Sequence, residues 1–145
     1  AELSARLPLD AAWSLQLAAT WLDARFGDGF GAVPAGAAIP GVPRRQGWAR
    51  LQWQGQAWEA ALEAMGVSAV AVNDAGSERA AGHGLLHLET ARSWTSGANR
   101  LRAFARVDNL LDRRHAGSVI VNEGNGRFYE PGPGRGLLLG LELHR

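Results

Sequence analysis

The final 45 residues, LRAFARVDNLLDRRHAGSVIVNEGNGRFYEPGPGRGLLLGLELHR, constrain the fold more tightly than any other stretch. Leu137, Leu139, Leu141 and Leu143 fall on one face of an extended chain, and Leu138, Gly140, Glu142 and His144 fall on the other. Upstream, Leu101, Ala103, Ala105 and Val107 oppose Arg102, Phe104, Arg106 and Asp108 in the same way. Two arginines and an aspartate on one side of a strand exclude a dry core there. They suit a solvent-exposed face or the wet interior of a large barrel. The two segments therefore predict an antiparallel sheet with an apolar face to cover and an edge to pair.

The same period recurs along the chain. Residues 2–8 alternate, and Trp13, Leu15, Leu17, Ala19 and Trp21 form an apolar face with tryptophan at both ends, the pattern of a membrane strand with an aromatic at each interface. In 48–54, Ala49, Leu51 and Trp53 oppose Trp48, Arg50, Gln52 and Gln54. Residues 57–65 satisfy both a helical spacing, through Trp58, Leu62 and Met65, and an alternation, through Trp58, Ala60 and Leu62 against Glu59, Ala61 and Glu63. The strand-like continuation GVSAVAV favours one long strand over 57–72. In HGLLHLETARSW, Leu86, Leu88 and Thr90 face one way and Leu85, His87, Glu89 and Ala91 the other. Seven strands result, with short connections at about 9–12, 55–56 and 95–99, and long ones at 23–46, 73–82 and 112–134. Short and long connections take turns, so consecutive antiparallel strands place all the long loops at one end of the sheet.

Composition narrows the function classes. Fifteen basic residues nearly balance fourteen acidic ones, for a formal charge of +1, and no dense basic patch is present to track nucleic-acid phosphates. Without cysteine there is neither a disulfide framework nor a thiolate nucleophile or metal ligand. No apolar run approaches the roughly 20 residues of a membrane helix, but a barrel strand needs only about 9 to 11. The 19 glycines mark frequent turns, and the 6 tryptophans suit interfacial positions as well as cores.

No catalytic constellation emerges. His83 and His87 lie roughly 13 Å apart on an extended strand, too far to share one metal ion. The glycines from Gly124 to Gly136 lack the following helix and the lysine of a phosphate loop, so they read as turn formers. Neither a cofactor nor a metal is expected. Asp108 and Asn109, where a strand meets the longest loop, are expected to fix the turn by side-chain to backbone hydrogen bonds.

At this point a resemblance becomes specific. RVDNLLDRRHAG at 106–117, GRFYEPGPGR at 126–135 and the leucine-alternating terminal strand resemble the C-terminal end of TonB-dependent outer-membrane receptors, siderophore receptors in particular. The family's Asn-Leu-Phe-Asp-like motif corresponds to Asn109, Leu110, Leu111 and Asp112. Its aromatic and proline before an arginine correspond to Phe128, Tyr129, Pro131, Pro133 and Arg135. TWLDARFGDG at 20–29 and IPGVPRRQGW at 39–48 resemble the family's passage into and out of an extracellular loop. The resemblance covers essentially the whole chain, but only the end of the family's barrel.

The resemblance implies an all-β fold, about seven antiparallel strands from the C-terminal end of a 22-stranded transmembrane barrel, spanning 1–145. It implies a Gram-negative outer-membrane location, and a function in importing a ferric siderophore or similar chelate without catalysis. Implied partners are the remaining barrel and plug domain, the lipid bilayer, the barrel-assembly machinery and, indirectly, the TonB complex. Glu89, Arg102, Arg106, Asp108 and Glu142 are expected inside the barrel. His115, Arg127, Phe128 and Tyr129 are the candidate substrate contacts in the loops, with Asp108, Asn109, Asp112, Pro131, Pro133 and Arg135 as structural-motif residues. The family usually ends in an aromatic residue where this chain has His144 and Arg145, so a weak assembly signal is expected. The functional protein is expected to begin far upstream of Ala1. Two other readings stand beside this one: a small self-contained outer-membrane barrel, and a soluble all-β binding module whose leucine face is a buried core.

Overall fold

The computed structural model describes residues 1–145. Eleven strands form in chain order: β1 (Glu2–Pro8), β2 (Trp13–Trp21), β3 (Arg45–Gln54), β4 (Trp58–Val67), β5 (Val70–Ala71), β6 (Arg79–Ala80), β7 (His83–Ser96), β8 (Asn99–Asp108), β9 (Ala116–Val119), β10 (Tyr129–Pro131) and β11 (Gly136–His144). Seven of them make one antiparallel meander in the order β1-β2-β3-β4-β7-β8-β11, while β5–β6 and β9–β10 form two small hairpins. The sheet is open, with β1 and β11 as its edges.

Register turns the alternation of each strand into two continuous faces. One transverse row reads Leu7, Leu15, Leu51, Leu62, Leu88, Val107 and Leu137, an aliphatic side chain from every strand of the sheet. No second layer covers this face. Leu137, Leu139 and Leu141 are 68, 68 and 74% exposed, which contradicts a soluble module with a buried leucine core. The open edges likewise contradict a self-contained barrel.

Tryptophans border the apolar face. Trp13, Trp53, Trp58 and Trp94 lie on it near the short connections, and Trp21 lies at the opposite end. Tryptophan at both margins is the arrangement found around the lipid-facing band of membrane barrels.

Residues 58–67 are strand rather than helix, but the expected long strand over 57–72 stops at Val67. The amide of Ser68 donates to Arg45 O at 2.8 Å and closes the β3–β4 ladder, after which β5 pairs with β6 instead. A Cβ at Gly82 would lie 2.7 Å from both Ala69 N and Val67 O, so glycine there permits the fold-back. Apolar alternation continues through the break while the pairing partner changes. Two further boundaries differ from expectation: β3 starts at Arg45, and the β7–β8 connection is the two residues Gly97 and Ala98, with Gly97 at φ 57°.

The few fully buried residues gather mainly among the long connections. Pro40, Ala71, Val72 and Ala80 are buried there, Val72 completely. Gly41 N donates to Ala71 O at 2.8 Å and Asn122 N donates to Val72 O at 2.9 Å, so segments from three long connections interlock. Two of the three long connections carry hairpins, and all three pack on one another.

Candidate functional site

The polar face carries an ion-pair network whose members come from five strands. Arg50 meets Glu63 at 3.2 Å and Glu89 at 3.4 Å. Arg106 meets the same two carboxylates at 3.3 and 3.5 Å, and Asp108 at 2.8 Å. Arg102 reaches Glu142 at 3.1 Å, Glu59 at 3.4 Å and Glu89 at 3.6 Å. Glu89 thus touches three arginines, which is possible because β7 lies centrally and long guanidinium side chains lean across from both sides. The edge strand β11 supplies Glu142, and the network is half-shielded from solvent. Expected polar-face residues Glu89, Arg102, Arg106, Asp108 and Glu142 do come together, and register adds Arg50, Glu59 and Glu63.

Asp108 behaves differently from expectation. It bonds side chains, His87 Nδ1 at 2.7 Å and Arg106 Nε at 2.8 Å, rather than fixing the turn through the backbone. Asn109 takes that task alone. It is buried, stands at φ 49°, donates from Nδ2 to Arg113 O and Pro133 O at 3.0 and 3.1 Å, and accepts from Arg113 N at 2.9 Å. Asp112, at φ 51°, accepts from Arg135 N at 2.9 Å. Asparagine and aspartate tolerate this left-handed backbone better than other residues with a side chain. The two motif segments therefore clamp the ends of the longest loop against each other. Pro131 ends β10, opposite Ala116 at a register shift.

Above the sheet end this clamp positions a cleft of about 360 Å³. Arg79, His83, Arg113, Arg114, His115 and Tyr129 supply its polar lining, and no carboxylate lines it. The rings of His83 and His115 stand 4.6 Å apart, tilted by 44°. His115 Nδ1 contacts Arg113 O at 3.1 Å, and its ring occupies the space where a side chain on Gly132 would begin. Three arginines, two histidines and a tyrosine thus line the wall. Such a surface favours an anionic ligand.

Of the four candidate substrate contacts, the cleft brings together His115 and Tyr129. Arg127 and Phe128 lie outside it. Arg127 N instead donates to Glu123 Oε2 at 2.9 Å, and Phe128 O accepts from Ile120 N at 2.9 Å, both within the β9–β10 hairpin. Glu123 holds two backbone N–H groups, those of Arg127 and Asn125, and the Arg127 bond is the main cause of a carboxyl pKa below the usual glutamate range. His83, Arg79 and the Arg113–Arg114 pair were missed by sequence reasoning. The run DRRH beside a loop clamp was the available signal; nothing local marked Arg79 or His83. No group of three or more histidine, cysteine or acidic side chains is placed to hold a metal ion.

With this geometry in hand, comparison with solved structures is informative. No family model matches the sequence. The ferric preacinetobactin receptor BauA from Acinetobacter baumannii superposes with a TM-score of 0.83 at 17% identity, over 97% of this chain and 21% of that one. The fold is shared with TonB-dependent outer-membrane receptors. The ferric citrate transporter FecA, in unliganded form, gives 0.78 at 17% identity over 92% of this chain and 21% of that one. The copper transporter OprC gives 0.69 at 20% identity over 98% and 22% respectively. This chain spans about a fifth of the length of each of these receptor structures. A ferric preacinetobactin receptor, a ferric citrate transporter and a copper transporter share this one fold, so the fold alone does not set the cargo.

Proposed function

We propose that this chain is a wall segment of a TonB-dependent outer-membrane transport receptor, in the outer membrane of a Gram-negative cell, and that it takes part in carriage rather than catalysis. The observation that carries the reading is the two-faced meander. An uncovered aliphatic face edged by tryptophan suits lipid, while a charged network on the opposite face suits a wet interior. Extended with the missing strands, the sheet would close as a barrel of about 22 strands. Glu59, Glu63, Glu89, Asp108 and Glu142 would then face a plug domain, through which the TonB complex energises import. The interlocked long connections would stand outside the cell.

The ligand we assign to the carboxylate-free cleft is an anionic metal chelate, of which a ferric siderophore is the leading class. His115 and Tyr129 are the proposed contacts from the original four candidates, joined by Arg79, His83, Arg113 and Arg114. Arg127 and Phe128 are reassigned to shaping the hairpin.

The test is uptake of radiolabelled iron, offered as citrate and catecholate chelates to cells producing the complete polypeptide that carries these strands. Uptake above that of a deletion strain, abolished by a protonophore, is the expected result. Uptake indifferent to the protonophore rejects energised import, and failure to take up either iron chelate rejects the siderophore assignment. Failure with a copper complex as well rejects metal transport altogether.

A further inference from the structure

We propose that Arg92, held between Trp58 and Trp94, binds the phosphate of an anionic membrane phospholipid in the leaflet at the short-connection end of the sheet. The inference rests on the reading of this chain as a membrane wall.

On the apolar face of the seven-stranded sheet, register places two charged residues, Arg45 and Arg92. They lie at opposite margins. On β4, the residue level with Arg92 is Trp58 and the one bonded to Arg45 is Ser68, a separation of 68 − 58 = 10 residues. That is roughly 34 Å along a strand, or about 25 Å of height at a tilt near 45°, the height of the apolar band of a membrane barrel. Both guanidinium groups therefore fall where hydrocarbon gives way to headgroups, and there a lipid-facing arginine costs far less than at the midplane.

Arg92 differs from the arginines behind it. Arg50, Arg102 and Arg106 on the polar face each meet carboxylates within 3.6 Å. Arg92 meets two rings instead, with its guanidinium carbon 5.2 Å from the centroid of Trp58 and 5.0 Å from that of Trp94. Cation–π contact steadies the guanidinium plane but satisfies none of its N–H donors. The acceptor that matches a fixed planar fork in a headgroup layer is a phosphate, taken bidentately. Arg45 stacks on one ring only, that of Trp21 at 4.8 Å, and lies beside the long connections. The two-ring clamp singles out Arg92.

The test reconstitutes the complete polypeptide carrying these strands in vesicles of mixed phosphatidylglycerol and phosphatidylcholine. Native mass spectrometry then identifies the lipids that stay bound on extraction. The wild type should retain phosphatidylglycerol several-fold over phosphatidylcholine, and Arg92→Gln should lose that preference. Arg92→Lys should keep part of it. Arg100→Gln removes the same charge from the polar face near the same end, where Arg100 reaches Ser93 Oγ at 3.1 Å, and should change nothing. An unchanged preference in Arg92→Gln overturns the proposal, as does equal loss in Arg100→Gln or displacement of the lipid by excess inorganic phosphate. Protease protection in the same vesicles is read separately. Unprotected strands sink the membrane reading and this site with it, whereas protected strands without an Arg92-dependent preference sink the lipid site alone.

Discussion

Asn109 Nδ2 donates to the carbonyl oxygen of Pro133 at 3.1 Å, tying the residue that follows β8 to the approach of β11 across 24 positions of sequence. The same side chain holds Arg113 at its N–H and its carbonyl. One buried carboxamide therefore sets both where the longest loop leaves the sheet and where Arg113 enters the cleft.

Asn109→Ala removes three hydrogen bonds and places alanine in a left-handed conformation. At about 1 kcal/mol for each bond and roughly 1 kcal/mol for the backbone, a loss of about 4 kcal/mol is expected in urea unfolding. A loss below about 1 kcal/mol would show that the loop ends hold without the clamp.

Phe104 lies directly opposite Gly140, and its ring fills the space of the missing side chain. Gly140→Ala should destabilise by about 1–3 kcal/mol through overpacking. Adding Phe104→Ala should make the double variant more stable than the sum of the single losses predicts. Strict additivity in that cycle would refute the contact.

Glu89 touches Arg50, Arg102 and Arg106. Its side chain is 25% exposed, so solvent screening reduces the value of each pair, and Glu89→Gln should cost only about 1–2 kcal/mol. The diagnostic result is coupling: Glu89→Gln and Glu63→Gln share Arg50 and Arg106 and should combine non-additively, in a cycle measured by the same unfolding assay.

Leu62 sits in the aliphatic row that crosses all seven strands. Leu62→Arg should cost about 2–4 kcal/mol if that row lies near the bilayer midplane, against about 0–1 kcal/mol for Trp94→Arg near the interface. Equal costs at the two positions would contradict a lipid-facing band.

Glu123 has a pKa lowered in the folded state, chiefly by the Arg127 N–H bond, so its contribution to hairpin order is fully present above the ordinary glutamate pKa of about 4.3. It is lost as pH falls through the lower folded value. The Arg127 amide chemical shift should titrate with a midpoint below that of a peptide glutamate, and Glu123→Gln should abolish the titration. A midpoint at or above the peptide value would exclude the bond from solution.

Strand identity was legible where side-chain period dominates. Leu137 to Leu143 and Leu101 to Val107 announce their faces without reference to any partner, because alternation follows from the geometry of one extended chain. The strand character of 58–67 was readable through its neighbours. Partnership was not. Whether the chain after Val67 stays in the sheet depends on Gly82 lying against residues 67–69, a contact that apolar alternation in GVSAVAV does not report.

The site divides along the same line. Polar-face membership of Glu89, Arg102 and Arg106 follows from parity in each strand, and the side-chain to backbone clamp at Asn109 and Asp112 was signalled by the motif. That Glu89 lies within reach of three arginines, that His115 stacks near His83 rather than beside Arg127, and that Asp108 serves His87 instead of the turn are matters of register and loop packing. A two-residue period along one strand fixes which way a side chain points. Hydrogen-bonded register between strands, and the packing of loops tens of residues apart, fix what it meets.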